Sequence, residues 1–186
     1  MKQFVLLFCY LFSFANIHAQ CGGVPIRHWE SCVLENTTWK YRVPTASIPG
    51  WELPTFNDAA WTSGIGGIGF GDGDDNTVIA TSSRSMYMRK SFTIIDTSQV
   101  KSAVLCMDYD DGFVAFLNGK EIARSNMNAN QQWNSFATAS HEALMYQGQN
   151  PEYFQISQQA LDTLLVNGTN VLCIQTHNNV ATSPDL

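Results

Sequence analysis

The stretch AVLCMDYDDGFVAFLNGKEIAR, from Ala103 to Arg124, decides the fold, because it reads as three consecutive strands separated by two turn signals, Asp111-Gly112 and Asn118-Gly119. Glycine lacks a Cβ and enters the left-handed region at little cost, which is what a tight hairpin between right-twisted strands demands. Ahead of the first turn, Ala103, Leu105, Met107 and Tyr109 fall on one face, while Val104, Cys106, Asp108 and Asp110 fall on the other. That alternation gives one apolar side and one mixed side. Past the turn, Phe113 to Leu117 is apolar on both faces, as expected of a strand covered from both sides.

Working outward, Trp39 to Val43 (WKYRV) alternates and reads as the first strand, and Met86 to Ile95 (MYMRKSFTII) as another. Pro151 to Ile156 is a short strand, Ser157 can cap a short helix running to Leu165, and Asn167-Gly168 ends it. Asn170 to His177 is a strand with Leu172, Ile174 and Thr176 on one side and Val171, Cys173 and Gln175 on the other. Trp51 to Trp61 is a loop whose rings plug the edge, and residues 125–150 form a long polar excursion. Short strands at close spacing with one brief helix predict an all-β fold, an antiparallel two-layer β-sandwich.

Residues 1–19 carry Lys2, an apolar run from Phe4 to Phe14 and a small residue, Ala19, before Gln20, the pattern of a cleaved secretory signal. The run is too short to span a bilayer. Residues 20–35 show no periodicity and read as a lead-in segment, and residues 36–186 as the sandwich. Loss of Lys2 takes the formal net charge from −6 to −7, the opposite of a nucleic-acid binder. Four cysteines follow the leader, Cys21, Cys32, Cys106 and Cys173, an even number that permits two disulfides in an exported chain. Of the three connectivities, Cys21 with Cys32 is favoured as local, and Cys106 with Cys173 because each sits on the more polar face of its strand; free buried thiols are the alternative for that second pair.

The chain carries no G-x-S-x-G elbow, H-E-x-x-H helix or C-x-x-C pair, so the reading is non-catalytic. Gly64, Gly66 and Gly69 match a dinucleotide-binding spacing, but Asp72, Asp74 and Asp75 follow where a pyrophosphate would lie, so an irregular loop is expected. That loop offers Asp72, Asp74, Asp75 and Asn76 as oxygen ligands for calcium, though the EF-hand template fails at Thr77 and Ser83. Solvated turn residues are the alternative. Asp108 and Asp110 share a strand face and need a cation or partner; a structural ion pair with Lys120, Arg124 or Arg89 is expected, with a metal as the alternative. His141-Glu142 lies in the long loop and could meet His177 in space. For carbohydrate, Trp133 flanked by Asn130, Gln131, Gln132 and Asn134 offers a ring and hydrogen-bonding neighbours, with Tyr146 and His177 as secondary ligand-binding residues. A tryptophan folded back onto the sheet is the alternative.

Taken in order, Trp39 to Tyr41, Phe56 to Trp61, Gly67 to Asp75, Tyr87 to Phe92, Asp110 to Gly119 and Gly168 to Asn178 resemble the galactose-binding-domain-like jelly roll of exported bacterial multidomain proteins, the version found beside CotH-type kinase and lamin-tail domains and ahead of some secreted metallophosphoesterases. The resemblance implies a jelly roll at the cell surface that binds carbohydrate or supports neighbouring domains, with a calcium-stabilised structural or adhesive spacer, or the accessory part of a longer enzyme, as alternatives. Two departures stand out. Cys173 replaces a small apolar residue, and the chain reaches SPDL (Ser183 to Leu186) where a final strand is expected to begin.

Overall fold

The computed structural model describes residues 6–13, 26–71, 73–80 and 83–186, with residues 6–13, 26 and 27 described by their backbone alone. Among the described residues the strands are β1 (Leu6–Ser13), β2 (Ile26–Val33), β3 (Thr38–Arg42), β4 (Thr62–Ile65), β5 (Ile68–Gly69), β6 (Thr77–Val78), β7 (Ser85–Ile94), β8 (Ala103–Met107), β9 (Gly112–Leu117), β10 (Lys120–Ser125), β11 (Glu152–Ile156) and β12 (Gly168–His177), with one α-helix, α1 (Gln158–Leu164). They form a six-stranded sheet in the order β10-β9-β12-β7-β3-β4 and a four-stranded sheet in the order β11-β8-β1-β2. Every pairing in these two sheets is antiparallel, and the short β5-β6 pair is parallel. The two-layer all-β sandwich is therefore the observed architecture. No described helix is long and apolar enough to cross a membrane.

The alternation read from the sequence explains the layers. Met86, Met88, Phe92 and Ile94 of β7, Phe113, Ala115 and Leu117 of β9, and Leu172 and Ile174 of β12 face inward against Leu105 and Met107 of β8 and Ile156 of β11. Each such side chain taken out of water contributes about 1.5–3 kcal/mol. Leu161 of α1 closes one end of this core, and the Ser157 hydroxyl caps the helix by accepting the Ala160 N–H. The opposite faces of β7, β9 and β12 bury Tyr87, Val114, Val171 and Cys173 under loops rather than under a third sheet.

The two turn signals of the central stretch behave differently. Asn118 (φ 50°) and Gly119 (φ 85°) both lie in the left-handed region and join Leu117 to Lys120 in a two-residue hairpin. Asp111-Gly112 is not a hairpin. β8 and β9 belong to different sheets, so Asp108 to Asp111 carry the chain from one layer to the other. Gly112 is needed there for space rather than for positive φ: a Cβ would come within 2.9 Å of the Ala137 Cβ and 3.0 Å of the Asn126 carbonyl. The acidic residues of this crossover tie loops down. Asp108 accepts the N–H groups of Leu144 (2.7 Å) and Met145 (3.0 Å), and buried Asp111 accepts those of His141 (2.9 Å) and Asn179 (2.7 Å). Of the cations expected to pair with Asp108 and Asp110, Arg89 pairs with Asp58 and Arg124 with Glu121.

Within residues 20–35 the structure describes β2, which joins the four-stranded sheet beside β1. Two further expectations are corrected. The irregular glycine-rich loop includes the β5-β6 pair. Cys106 and Cys173 are both free thiols. Leu105 and Met107 point into the core, which turns Cys106 to the outside of its sheet, and Cys173 faces out from the other sheet toward Trp51. With sheets packed about 10 Å apart, thiols on opposite outer faces lie beyond disulfide reach. Cys32 packs against the core, and Cys21 lies outside the described residues.

Candidate functional site

The outer face of the six-stranded sheet is walled with aromatics. Trp51 stacks on Tyr87 of β7 with ring centroids 4.3 Å apart, meets Phe116 of β9 edge-on at 5.7 Å, and continues to Trp61 at 6.3 Å, where Phe56 packs edge-on. Such ring pairs contribute about 0.5–1.5 kcal/mol beyond area burial. This explains why the FNDAAW segment lies flat on the sheet.

Arg89 of β7 fastens that loop. Its side chain is 2% exposed; Nε donates to Asp58 Oδ2 at 2.8 Å, and Nη1 donates to the carbonyls of Leu53 (3.2 Å) and Trp51 and to Cys173 Sγ (3.3 Å). Burial pushes the Cys173 thiol up to about 12, against the opposing pull of Arg89, so it is a packed, protonated group. Burial, followed by the charge of Glu52, pushes the Tyr87 phenol up to about 12.

The long loop supplies the facing wall. The Trp133 carbonyl accepts the Ser85 hydroxyl at 2.6 Å, the Asn134 carbonyl accepts Arg84 Nη1 at 3.1 Å, and the Ala137 N–H donates to the Asn178 carbonyl at 2.9 Å. Half-buried Trp133 packs against the Trp51 cluster, so both alternatives raised for it hold in part: it folds back to the sheet and also borders an opening. That opening is a cavity of about 270 Å³ between Trp51, Tyr87, Phe116, Trp133, Gln131 and Gln175. Among the described residues, Glu52 is the one charged residue on its lining. Of the amide side chains on this lining, Gln131 Oε1 and Gln175 Nε2 are buried without a hydrogen-bond partner. Each unmatched group of this kind costs about 1–3 kcal/mol.

The other expected ligand residues lie elsewhere. His177 is fully buried at the end of β12, where Nδ1 bonds to the Ser135 carbonyl at 3.0 Å and Nε2 has no partner. Burial lowers its pKa to about 4, so the ring is neutral and positions the Trp133 loop from beneath. Tyr146 sits in a 3-10 turn (Met145–Gln147) and its hydroxyl accepts Gln147 Nε2 at 2.6 Å, away from the Trp133 cavity. His141 does not meet His177. It stacks on Tyr109 at 4.1 Å and bonds the Tyr109 carbonyl (2.9 Å) and Glu152 Oε1 (2.7 Å).

Of the calcium ligands read from the sequence, Asp72 lies outside the described residues. Asp74 is close enough to Asp108 for its charge to raise that carboxyl, and Asn76 donates to the Gly66 carbonyl at 2.7 Å. The carboxylates that converge among the described residues are instead Asp110, Glu142 and Asp185, with oxygens within 4.8 Å of one another. They come from the crossover, the long loop and the last residues of the chain, a separation that no spacing rule reveals.

No protein-family model matches the sequence, and no curated protein does either. Solved structures to which this chain is similar in part include a calcium-binding mutant of Bacteroides uniformis beta-glucuronidase 2 (TM-score 0.47, 14% identity, 78% of this chain and 14% of that one). A beta-glucuronidase from glycoside hydrolase family 2 (TM-score 0.46, 13% identity, 96% and 14%) and an uncultured Clostridium sp. beta-glucuronidase (TM-score 0.47, 18% identity, 77% and 21%) are also similar. The chain thus spans between 14% and 21% of the length of these proteins.

Proposed function

We propose that this chain is a non-catalytic accessory module that binds a neutral carbohydrate in the cavity between Trp51 and Trp133. The observation that carries this reading is the aromatic-walled opening itself, in which Trp51, Tyr87 and Trp133 stand beside the amide side chains Gln131, Gln132 and Gln175. A sugar suits it chemically: adjacent hydroxyls can donate to one amide and accept from the other, while a C–H face covers a ring. A cavity of about 270 Å³ limits the buried part to roughly one or two sugar units. Glu52 disfavours acidic sugars, because among the described residues no cation lines the cavity to offset its charge.

Export completes the proposal: residues 1–19 are removed and the module acts at the cell surface beside further domains. Strand β1 and the leader then compete for the same residues, so N-terminal sequencing of the exported chain tests that part, with Gln20 as the expected first residue.

The ligand itself is tested on a glycan array with the full chain, followed by calorimetry on the best neutral hit. Trp133→Ala and Gln175→Leu are each expected to weaken binding about tenfold or more, the equivalent of one lost hydrogen bond or ring contact. Absence of any array hit, or unchanged affinity in both variants, would contradict the assignment.

A further inference from the structure

The Trp133 wall of the aromatic cavity belongs to a loop whose two ends meet. The Thr138 N–H donates to the Asn126 carbonyl at 2.7 Å and the Ala137 N–H to the Asn178 carbonyl at 2.9 Å, while Met127 and Ala137 are buried with Val114 at this base. A loop closed at its base is an Ω-loop, a form that often carries function. Asn126 (φ 52°) and Asn130 (φ 60°) hold the left-handed region without being glycine, a backbone state that costs energy and clusters at ligand clamps and switch segments.

Beyond that base, residues 128–136 are hydrogen-bonded to the body through side chains. Among the described residues their one backbone–backbone bond is internal, from the Ser135 N–H to the Gln132 carbonyl at 3.0 Å. Arg124 reaches the Asn128 carbonyl, Ser85 that of Trp133, Arg84 that of Asn134 and His177 that of Ser135, and the Arg84 guanidinium also lies 4.4 Å from the centre of the Phe136 ring. The floor beneath works against closure. Gln175 and His177, on the outer face of β12, are 2% and 0% exposed, and their Nε2 atoms have no hydrogen-bond partner; nor has Gln131 Oε1 in the loop itself. A buried polar group left unmatched is costly. Few ties above an unsatisfied floor set this segment at the low-stability end of the fold.

We propose that residues 128–136 form a lid over the carbohydrate cavity, which opens about Asn130 to hydrate Gln175 and His177 and closes when Trp133 lands on a bound sugar. The closing half rests on the cavity being the glycan site, because a ring contact made only in the closed form gives the sugar its preference for that form. Arg84 and Ser85 lie outside the lining of the cavity, so they act on the lid and not on the sugar.

The test is fluorine NMR of the full chain carrying fluorotryptophan, with the Trp133 signal identified by its loss in Trp133→Phe. Without glycan, that signal alone should be broadened by exchange on the microsecond-to-millisecond scale of lid motion. Ser85→Ala and Arg84→Gln each remove a tie, and each should move the equilibrium about fivefold toward the open form, seen as a shift of the Trp133 signal toward the solvent-exposed position. Adding the best neutral glycan from the array should remove the broadening. A sharp Trp133 signal that neither variant moves would overturn the lid, as would equal broadening at Trp51 and Trp61. Glycan binding that leaves the Trp133 exchange unchanged would also overturn it, while sparing the cavity. Exchange that answers to both variants in a protein that binds no glycan would support the lid and remove only the sugar.

Discussion

Acidification from pH 7 to pH 4 is expected to cost the fold about 3 kcal/mol through His177 alone, from the shift of its pKa from 6.5 to about 4 at about 1.4 kcal/mol per pH unit. Burial is the cause, partly opposed by the bond to the Ser135 carbonyl. In the unfolded chain the ring takes up a proton as the pH falls through 6.5; in the folded chain it resists until about 4. Between those values the unfolded state binds more protons, so stability is intact above pH 6.5 and falls steadily as the pH drops toward 4. Asp108 acts in the opposite sense, since its raised carboxyl pKa lets the folded state hold a proton more tightly in acid. The comparison that isolates His177 is urea unfolding of wild type and His177→Gln at several pH values. The variant keeps a donor toward Ser135 and should lose the steep dependence between pH 6.5 and 4. Parallel curves for the two proteins would rule out the role assigned to His177.

Replacing Arg89 with methionine is expected to cost about 3–5 kcal/mol, the range for breaking a buried ion pair by removing one partner. The guanidinium joins Asp58, the carbonyls of Trp51 and Leu53 and the Cys173 sulfur in one buried fork. Methionine fills much of the volume but leaves those acceptors unmatched. Because Trp51 forms one wall of the aromatic cavity, carbohydrate affinity should fall together with stability. Arg89→Lys should recover little, since a single ammonium cannot span this set of acceptors. A loss below about 1 kcal/mol in urea unfolding would show that the loop is held by ring stacking alone.

Residues whose role is local were legible before folding. The alternation in β12 set Leu172 and Ile174 on one face, which is the core face, and Cys173 and Gln175 on the other, and Asn118-Gly119 marked a true hairpin. Layer membership was not legible, because Asp111-Gly112 carries the same turn chemistry whether the chain doubles back or crosses to the other sheet. The disulfide expectation failed for a related reason: two residues on polar faces are near one another only if those faces belong to one layer. At the site, Trp133 and Gln131 stood out by composition. Trp51, Arg89 and Gln175 did not, since each reads as an ordinary core or strand residue until loops distant in sequence meet over the same sheet face.

The most direct measurement is the NMR spectrum of the tryptophan indole and glutamine side-chain amide groups as the best neutral glycan from the array is added. Shifts confined to Trp51, Trp133, Gln131 and Gln175, saturating together, are the expected result. Shifts centred on Gln147, which bonds Tyr146, or none at saturating glycan, would contradict a carbohydrate site on the outer face of the six-stranded sheet.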